Sequence, residues 1–355
     1  MRALTVSPGA KIRWRSVPVP ADPGPLGAVV HPIAVATCDL DRSLALGSTP
    51  FALPLCLGHE CVAEVLRVGP DVTDVRPGQR VVVPFQINCG ACDACARGLT
   101  ANCTGVPPIS MYGFGVGGGH WGGALSDELA VPFADAMLVA LPEGIEPVAA
   151  ASVADNVADG YRHIGPHLPA LLERDPDAEV RIVAGQRTRL PYSASVPLYA
   201  GLVARALGAT NVRMVEARPH VRAQATDLGI EAISPAEARG LPLAHLVVDV
   251  SFEPKGLGSA LSATAPDGVC TSSGALHRTA KVPIALLYGR NATFHVGRTH
   301  ARAVIPAVLE LMSAGRLHPE LVTTCVAPFD DAPRALHDHV RGHGTKTIVA
   351  EASVG

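Results

Sequence analysis

Four of the nine cysteines are crowded into the fifteen-residue stretch "CGACDACARGLTANC", as Cys89, Cys92, Cys95 and Cys103. Their C-x2-C-x2-C-x7-C spacing lies on a glycine-containing loop, and neither helical nor strand periodicity accounts for it. Turns of this kind aim four thiolates at one point, and four thiolates suit a tetrahedral Zn2+ ion. A closed shell of this sort leaves no position for a substrate, so the ion would be structural. Four unrelated buried thiols, or redox disulfides, are the competing readings.

Upstream stands a different donor set. "ATCDLD" carries Cys38, and "LGHECVAEV" carries His59 and Glu60. Taken alone, Cys38 reads as a small core residue and His59 as a satisfied polar one. The four-cysteine loop about thirty residues later shifts that balance. Gly-His-Glu followed at this distance by a four-cysteine lobe resembles the zinc-containing medium-chain alcohol dehydrogenase family. The resemblance runs through nearly the whole chain, from "RVVVPFQINCGAC" through "WGGALSDELAVP" to "GHGTKTIVAE".

The resemblance implies an α/β protein of two domains. A GroES-like β-barrel catalytic domain would span residues 1–154, completed by 297–355, and a Rossmann domain with a doubly wound parallel sheet would span 155–296. It also implies one structural and one catalytic zinc, the latter with three protein ligands and an open position. Cys38 and His59 match the first two ligands by motif. The third should lie where the chain crosses between domains, and "AASVADNVADGYRHI" offers Asp155. The alternative for Asp155 is a helix cap beside Asn156. Glu60 resembles the family's carboxylate next to the metal, its alternative being a solvent-facing strand residue. Asp41 would accept the remaining imidazole N–H of His59 and fix its tautomer, although a lone Asp there also suits a turn. Zinc makes an alcohol easier to deprotonate, and a nicotinamide ring takes up or returns hydride.

Two departures from the family pattern bear on that chemistry. The family places Ser or Thr two residues after the zinc cysteine as a proton relay, and this chain has Leu40. Asp39, His120 or a water chain would have to carry the proton, or alcohol oxidation does not run in the usual way. The stretch "VRIVAGQRTRLPYSASVPLYAGLVARALGA" reads as strand, loop and helix, yet the loop lacks the glycine turn that lets backbone approach a pyrophosphate. Pro197 stands at the last fingerprint position and is acceptable in a first helical turn. Arg187, Arg189, Ser193, Ser195 and the helix N-terminus are the candidates left to hold phosphate. Glu216, at the end of the next strand, is placed to take a ribose 2′-OH, which favours NAD, while Arg218 would accommodate the 2′-phosphate of NADP.

The elements that must position these residues are legible as well. In the second half, "VRIVA", "VRMVE", "HLVVDVS", "GVCTSS" and "ATFHV" alternate with helical stretches such as "LYAGLVARALG" and "PHVRAQATDLG". Such alternation builds a parallel sheet covered by helices. The 355 residues are 48% hydrophobic and 17% charged, with net charge -3 and no Lys/Arg run, which argues against nucleic acid as a partner. No apolar run reaches the length of a membrane span and "MRALTVSPGAKIRW" lacks a signal-peptide core, so a cytoplasmic protein is expected. Met111, Tyr112, Phe114, His120 and Trp121 would line part of a pocket for a small, largely apolar alcohol, aldehyde or ketone, or else pack the core. A homo-oligomer, dimer or tetramer, is expected through "NATFHVGRTHAR". Two functions stay open: a zinc- and NAD(P)-dependent oxidoreductase, or a zinc-binding relative without dinucleotide that acts as a non-redox enzyme or ligand-binding protein.

Overall fold

The computed structural model describes residues 1–190, 192–274 and 279–351. They divide into two compact units. The first comprises Met1–Ala158, the short segment ending at Ser193 and the chain from Thr299 onward; the second comprises Asp159–Leu190 and Ala194–Arg298. Asp155 and Asn156 therefore belong with the first unit.

In the first unit, strand Ala28–Ala36 is apolar along most of its length because it is paired on both sides. It runs antiparallel to Glu60–Val68 and to Thr347–Ala350, and Ala36 faces Glu60 on one side and Ile348 on the other. The ends of three strands far apart in sequence thus meet at one place. Cys38, His59 and Lys346 lie within two residues of those ends. Arg80–Val83 and Val139–Ala140 extend the sheet past Glu60–Val68, Cys325–Pro328 extends it past Thr347–Ala350, and Leu129–Val131 also pairs with Ala28–Ala36. A smaller antiparallel sheet has Arg2–Ser7 between Lys11–Ser16 and Leu55–Cys56.

The second unit holds six parallel strands: β1 (Val180–Gly185), β2 (Val212–Glu216), β3 (Glu231–Ile233), β4 (Ala244–Asp249), β5 (Thr264–Ser272) and β6 (Thr293–Val296). Their order is β3-β2-β1-β4-β5-β6. Strand β1 is buried throughout, as a central parallel strand covered on both faces must be. Helices Ser195–Ala206, Pro219–Asp227 and Pro254–Ala263 follow β1, β2 and β4. The last packs Leu257, Ala260 and Leu261 on Val183, Val247 and Cys270. This is the doubly wound sheet expected from the alternating pattern, and its order reverses between β1 and β4, where such sheets bind ligands beyond the strand ends. Strand β3 escaped the sequence pattern because three edge residues are too few to show alternation. Pro197 is the third residue of its helix, so no helical hydrogen bond is lost.

His163, in helix Asn156–Ile164, is fully enclosed, with Nδ1 2.8 Å from the Thr271 hydroxyl and Nε2 3.0 Å from that of Ser273. Burial, aided by the Arg162 charge, pushes its pKa well below the usual 6.5. The unfolded chain takes up a proton below that value and the folded chain refuses it. The stability from this group is therefore complete above about pH 6.5 and falls as the pH drops, by at most about 1.4 kcal/mol per unit. Measured by urea unfolding between about pH 5 and 6.5, His163→Gln should show a slope smaller by one proton than the wild type. An unchanged slope would mean that the folded imidazole protonates.

Candidate metal centres and the dinucleotide half

The four sulfurs of Cys89, Cys92, Cys95 and Cys103 lie within 4.8 Å of one another. A single helical turn, Asp93–Ala96, and a short 3-10 turn, Thr100–Asn102, bend the loop so that they converge. Backbone N–H groups turn inward as well: those of Cys89 and Gly105 donate to Cys103 Sγ at 3.3 Å, and that of Thr104 to Cys92 Sγ at 3.4 Å. Gly105 is required for this approach, since a Cβ there would sit 2.6 Å from Cys89 Sγ. Backbone N–H groups of Cys95 and Thr104 hold the Cys92 thiol down at about 5, whereas burial and the neighbouring Cys92 push Cys95 up to about 12. Four thiolates this close repel unless a cation lies between them. The donor set fits a closed tetrahedral zinc.

Cys38, His59, Glu60 and Asp155 form a second convergent group, also within 4.8 Å. The Cys38 thiol donates to Asp155 Oδ2 at 3.4 Å, and His59 Nε2 stands 3.5 Å from the same oxygen. His59 is 1% exposed, yet neither ring nitrogen has a hydrogen-bond partner among the described residues. An enclosed imidazole without partners, facing a sulfur and a carboxylate, fits a metal ligand. Burial, followed by the charges of Asp155, Glu60 and Asp41, raises the Cys38 thiol well above its usual pKa, so only a cation at the site would make it an anion. The Asp155 carboxylate is directed at Cys38, His59 and Asn156 and makes no capping bond to the helix that follows.

One expectation about this group is corrected, and one alternative falls. Asp41 does not accept from His59: its Oδ2 takes the backbone N–H of Cys38 at 2.7 Å, so it fixes the sulfur-bearing turn instead of the imidazole tautomer. Glu60 is fully buried, which rules out a solvent-facing strand position. Its carboxylate receives Lys346 Nζ at 3.0 and 2.9 Å. Burial still outweighs the ammonium and raises the Glu60 pKa well above the carboxylate range.

In the second unit most of the groups expected to meet a dinucleotide already have protein partners. Arg218 forks onto Glu216, with Nε 2.9 Å from Oε1 and Nη2 2.8 Å from Oε2, and both residues are buried. Arg187 pairs with Glu253, whose other oxygen accepts the Gln186 N–H at 3.0 Å. The Ser193 hydroxyl, in the first unit, donates to buried Asp39 at 2.8 Å. Ser195 is enclosed at the start of its helix, and Arg189 is exposed. Sheet order and the acid ending β2 fit a dinucleotide site; the ribose- and phosphate-holding groups, as placed, do not. With both Glu216 oxygens taken by Arg218, the expected preference for NAD loses its structural basis.

Residues 24–143 match the family described as Alcohol dehydrogenase GroES-like domain. A Mycobacterium tuberculosis protein, named a probable zinc-binding alcohol dehydrogenase, is 29% identical over 351 residues, covering 94% of this chain and 84% of its own length. A glutathione-independent formaldehyde dehydrogenase of Bacillus subtilis is 26% identical over 362 residues, covering 91% and 86%. Among solved structures, the alcohol dehydrogenase TADH from Thermus sp. ATN1 matches 99% of this chain and 100% of its own with a TM-score of 0.87, at 27% identity. Residues 24–143 thus carry an alcohol dehydrogenase GroES-like domain, and similarity to zinc-binding alcohol dehydrogenases runs over nearly the whole chain.

The pattern of the family that the sequence resembles is not kept around Cys38. Leu40 contributes its backbone N–H to Cys38 Sγ at 3.5 Å and has no group to pass a proton. His120 is exposed in a groove with Arg15 and Cys56. Of the five pocket candidates, Phe114 has its ring 4.9 Å from that of His59. Tyr112 is core, its hydroxyl donating to Ala130 O at 2.8 Å, and Met111 is buried too. Phe85, 6.0 Å from the His59 ring, was not singled out in the sequence, and neither was Lys346. A lysine inside the apolar "TKTIVA" was the available signal.

Metal analysis of the purified protein should find two zincs per chain, with Cys92→Ala losing one and Cys38→Ala the other. Asp155→Asn keeps the size of the side chain but is not an anionic ligand. It should lose the Cys38-site metal and activity while retaining the lobe zinc; full occupancy would remove Asp155 from the ligand set.

Proposed function

We propose that this chain is a zinc-dependent alcohol dehydrogenase or carbonyl reductase that moves hydride between NAD(P) and a small, largely apolar alcohol, aldehyde or ketone. The observation that carries this reading is the enclosed, unpartnered His59 imidazole facing Cys38 and Asp155. One sulfur, one nitrogen and one carboxylate oxygen are a ligand set that leaves zinc a position for substrate. Cys38, His59 and Asp155 would hold that ion, with Glu60 beside it, and the four cysteines of the lobe would hold the second. When bound, the ion supplies Lewis acidity to an alcohol or carbonyl oxygen, and the nicotinamide supplies or accepts hydride.

The chain's own residues prepare the site in three ways. Phe114 and Phe85 set apolar rings beside His59 and keep water from it, which suits an apolar substrate. Asp41 holds the Cys38 backbone, and with it the direction of the sulfur. Asp39 accepts the Ser193 hydroxyl next to the position where the family carries its relay group, a carboxylate–hydroxyl pair able to hold a proton that Leu40 cannot. The relatives support the oxidoreductase class and differ in the substrates their names state, so no single substrate follows.

A second reading has its own observation. The Glu216–Arg218 fork and the Arg187–Glu253 pair neutralise groups that would otherwise meet ribose and phosphate, as in a relative that has given up the dinucleotide. We further propose a homo-oligomer, dimer or tetramer, joined through β6. This strand is one of the two sheet edges, and Ile284, Tyr288 and Val296 near it are exposed. Nine unpaired cysteines support a cytoplasmic location. Among the described residues no helix is long and apolar enough to cross a membrane.

Titration of the zinc-loaded protein with NADH and NADPH, followed by nicotinamide fluorescence at low salt, separates the two functions. Saturable binding is expected, and it should weaken steeply with salt because side-chain charges replace the glycine turn. No binding of either at about millimolar concentration would leave the second reading standing.

A further inference from the structure

Asn156 occupies a position between the buried cation and the candidate metal ligands. Its Oδ1 accepts from Lys346 Nζ at 2.9 Å. Its Nδ2 donates to Asp155 Oδ2 at 3.0 Å and to Cys38 Sγ at 3.3 Å. An amide has two N–H groups and one carbonyl, and here the two hydrogens go to two different donors of the metal group while the oxygen goes to an ammonium. The reverse orientation would set the carbonyl against a carboxylate and a sulfur, and the amide N–H groups against a cation. The network therefore admits one orientation only. Both Asn156 and Lys346 are buried, so water does not offer an easy substitute for these bonds.

We propose, on the reading that Cys38, His59 and Asp155 hold a metal, that Asn156 is a positioning residue for that metal: a clamp on two of its three ligands, itself held by Lys346. By donating to Asp155 Oδ2 it keeps this oxygen directed at Cys38 Sγ and His59 Nε2. By donating to Cys38 Sγ it draws electron density from the sulfur and moderates what the sulfur gives the metal. Glu60 takes the other side of the Lys346 ammonium, so the cation is shared between the amide and the carboxylate. Partners that orient ligands in this way commonly contribute about 10- to 100-fold in metal affinity.

Two variants of the full-length protein test the clamp. Asn156→Asp keeps the size and the acceptor for Lys346 but removes both donors; Asn156→Leu removes all three bonds. Zinc release to a chromophoric chelator, and the thiolate-to-cobalt charge-transfer band after Co2+ exchange, are read for each. Both variants should release the Cys38-site metal about 10- to 100-fold more readily, with the cobalt band shifted and the four-cysteine metal retained as an internal control. Unchanged affinity and an unchanged band in both would overturn the proposal. So would parallel loss of the lobe metal, which would show a general structural role. Wild-type protein that loads metal in the lobe alone would overturn the metal reading and the clamp with it, an outcome distinct from the other two.

Discussion

Enclosing Cys38, Glu60 and Asp155 within 4.8 Å of one another places three acidic groups where water cannot screen them. An unpaired charge buried in this way costs several kcal/mol, on the order of the whole stability margin of a domain. The surroundings answer with positive charge and hydrogen-bond donors. Lys346 meets Glu60, Asn156 meets Cys38 and Asp155, and backbone N–H groups meet the sulfur and the Asp41 carboxylate. Among the described residues the ring nitrogens of His59 are left without a hydrogen-bond partner, and a cation beside Nε2 would complete the balance. The sheet serves this arrangement, because pairing Ala36 with both Glu60 and Ile348 is what brings the acids and the lysine to one place.

How much of this was legible depended on sequence distance. The lobe was readable because four cysteines within fifteen residues can meet only at a point near themselves. Cys38, His59 and Asp155 were readable through a resemblance, since nothing local joins residues so far apart. Asn156 was noted only as a neighbour of Asp155, and Lys346 was not singled out, because their bonds to Cys38 and Glu60 span 118 and 286 residues. The Asp41 assignment failed for a related reason: its carboxylate found the nearer backbone N–H of Cys38, three residues away, before it could reach an imidazole. The pocket aromatics were ambiguous for want of direction, as aromatic residues fill cores and line sites alike. Tyr112 proved to be core and Phe114 proved to face His59.

The second unit shows how a fold and its ligand contacts come apart. Strand order depends on apolar runs and helix packing, which survive wide changes in loops. The contacts depend on a few side chains and on backbone that comes close to the ligand. In this chain the sheet is intact, while Glu216, Arg218, Arg187 and Glu253 have become partners of one another. A dinucleotide would have to compete with ion pairs, one of them a buried fork, before it gained a contact. Cofactor affinity is thereby tied to protein electrostatics to a degree that a glycine turn, which offers only backbone, is not.

The bond between Glu60 and Lys346 also sets an order of events during synthesis. A chain emerging at a ribosome presents Cys38, His59, Glu60 and Asp155 long before residue 346 exists, and throughout that interval the acids have no lysine to face. The four-cysteine loop has no such delay, since its first and last members are fourteen residues apart. The lobe can close around metal early, whereas the other centre must wait for strand Thr347–Ala350 to enter the sheet beside Ala28–Ala36. On the proposed zinc reading the two sites would thus be completed at different ages of the molecule, and a nascent chain interrupted shortly before its end would have the lobe cysteines together but no Lys346 for Glu60.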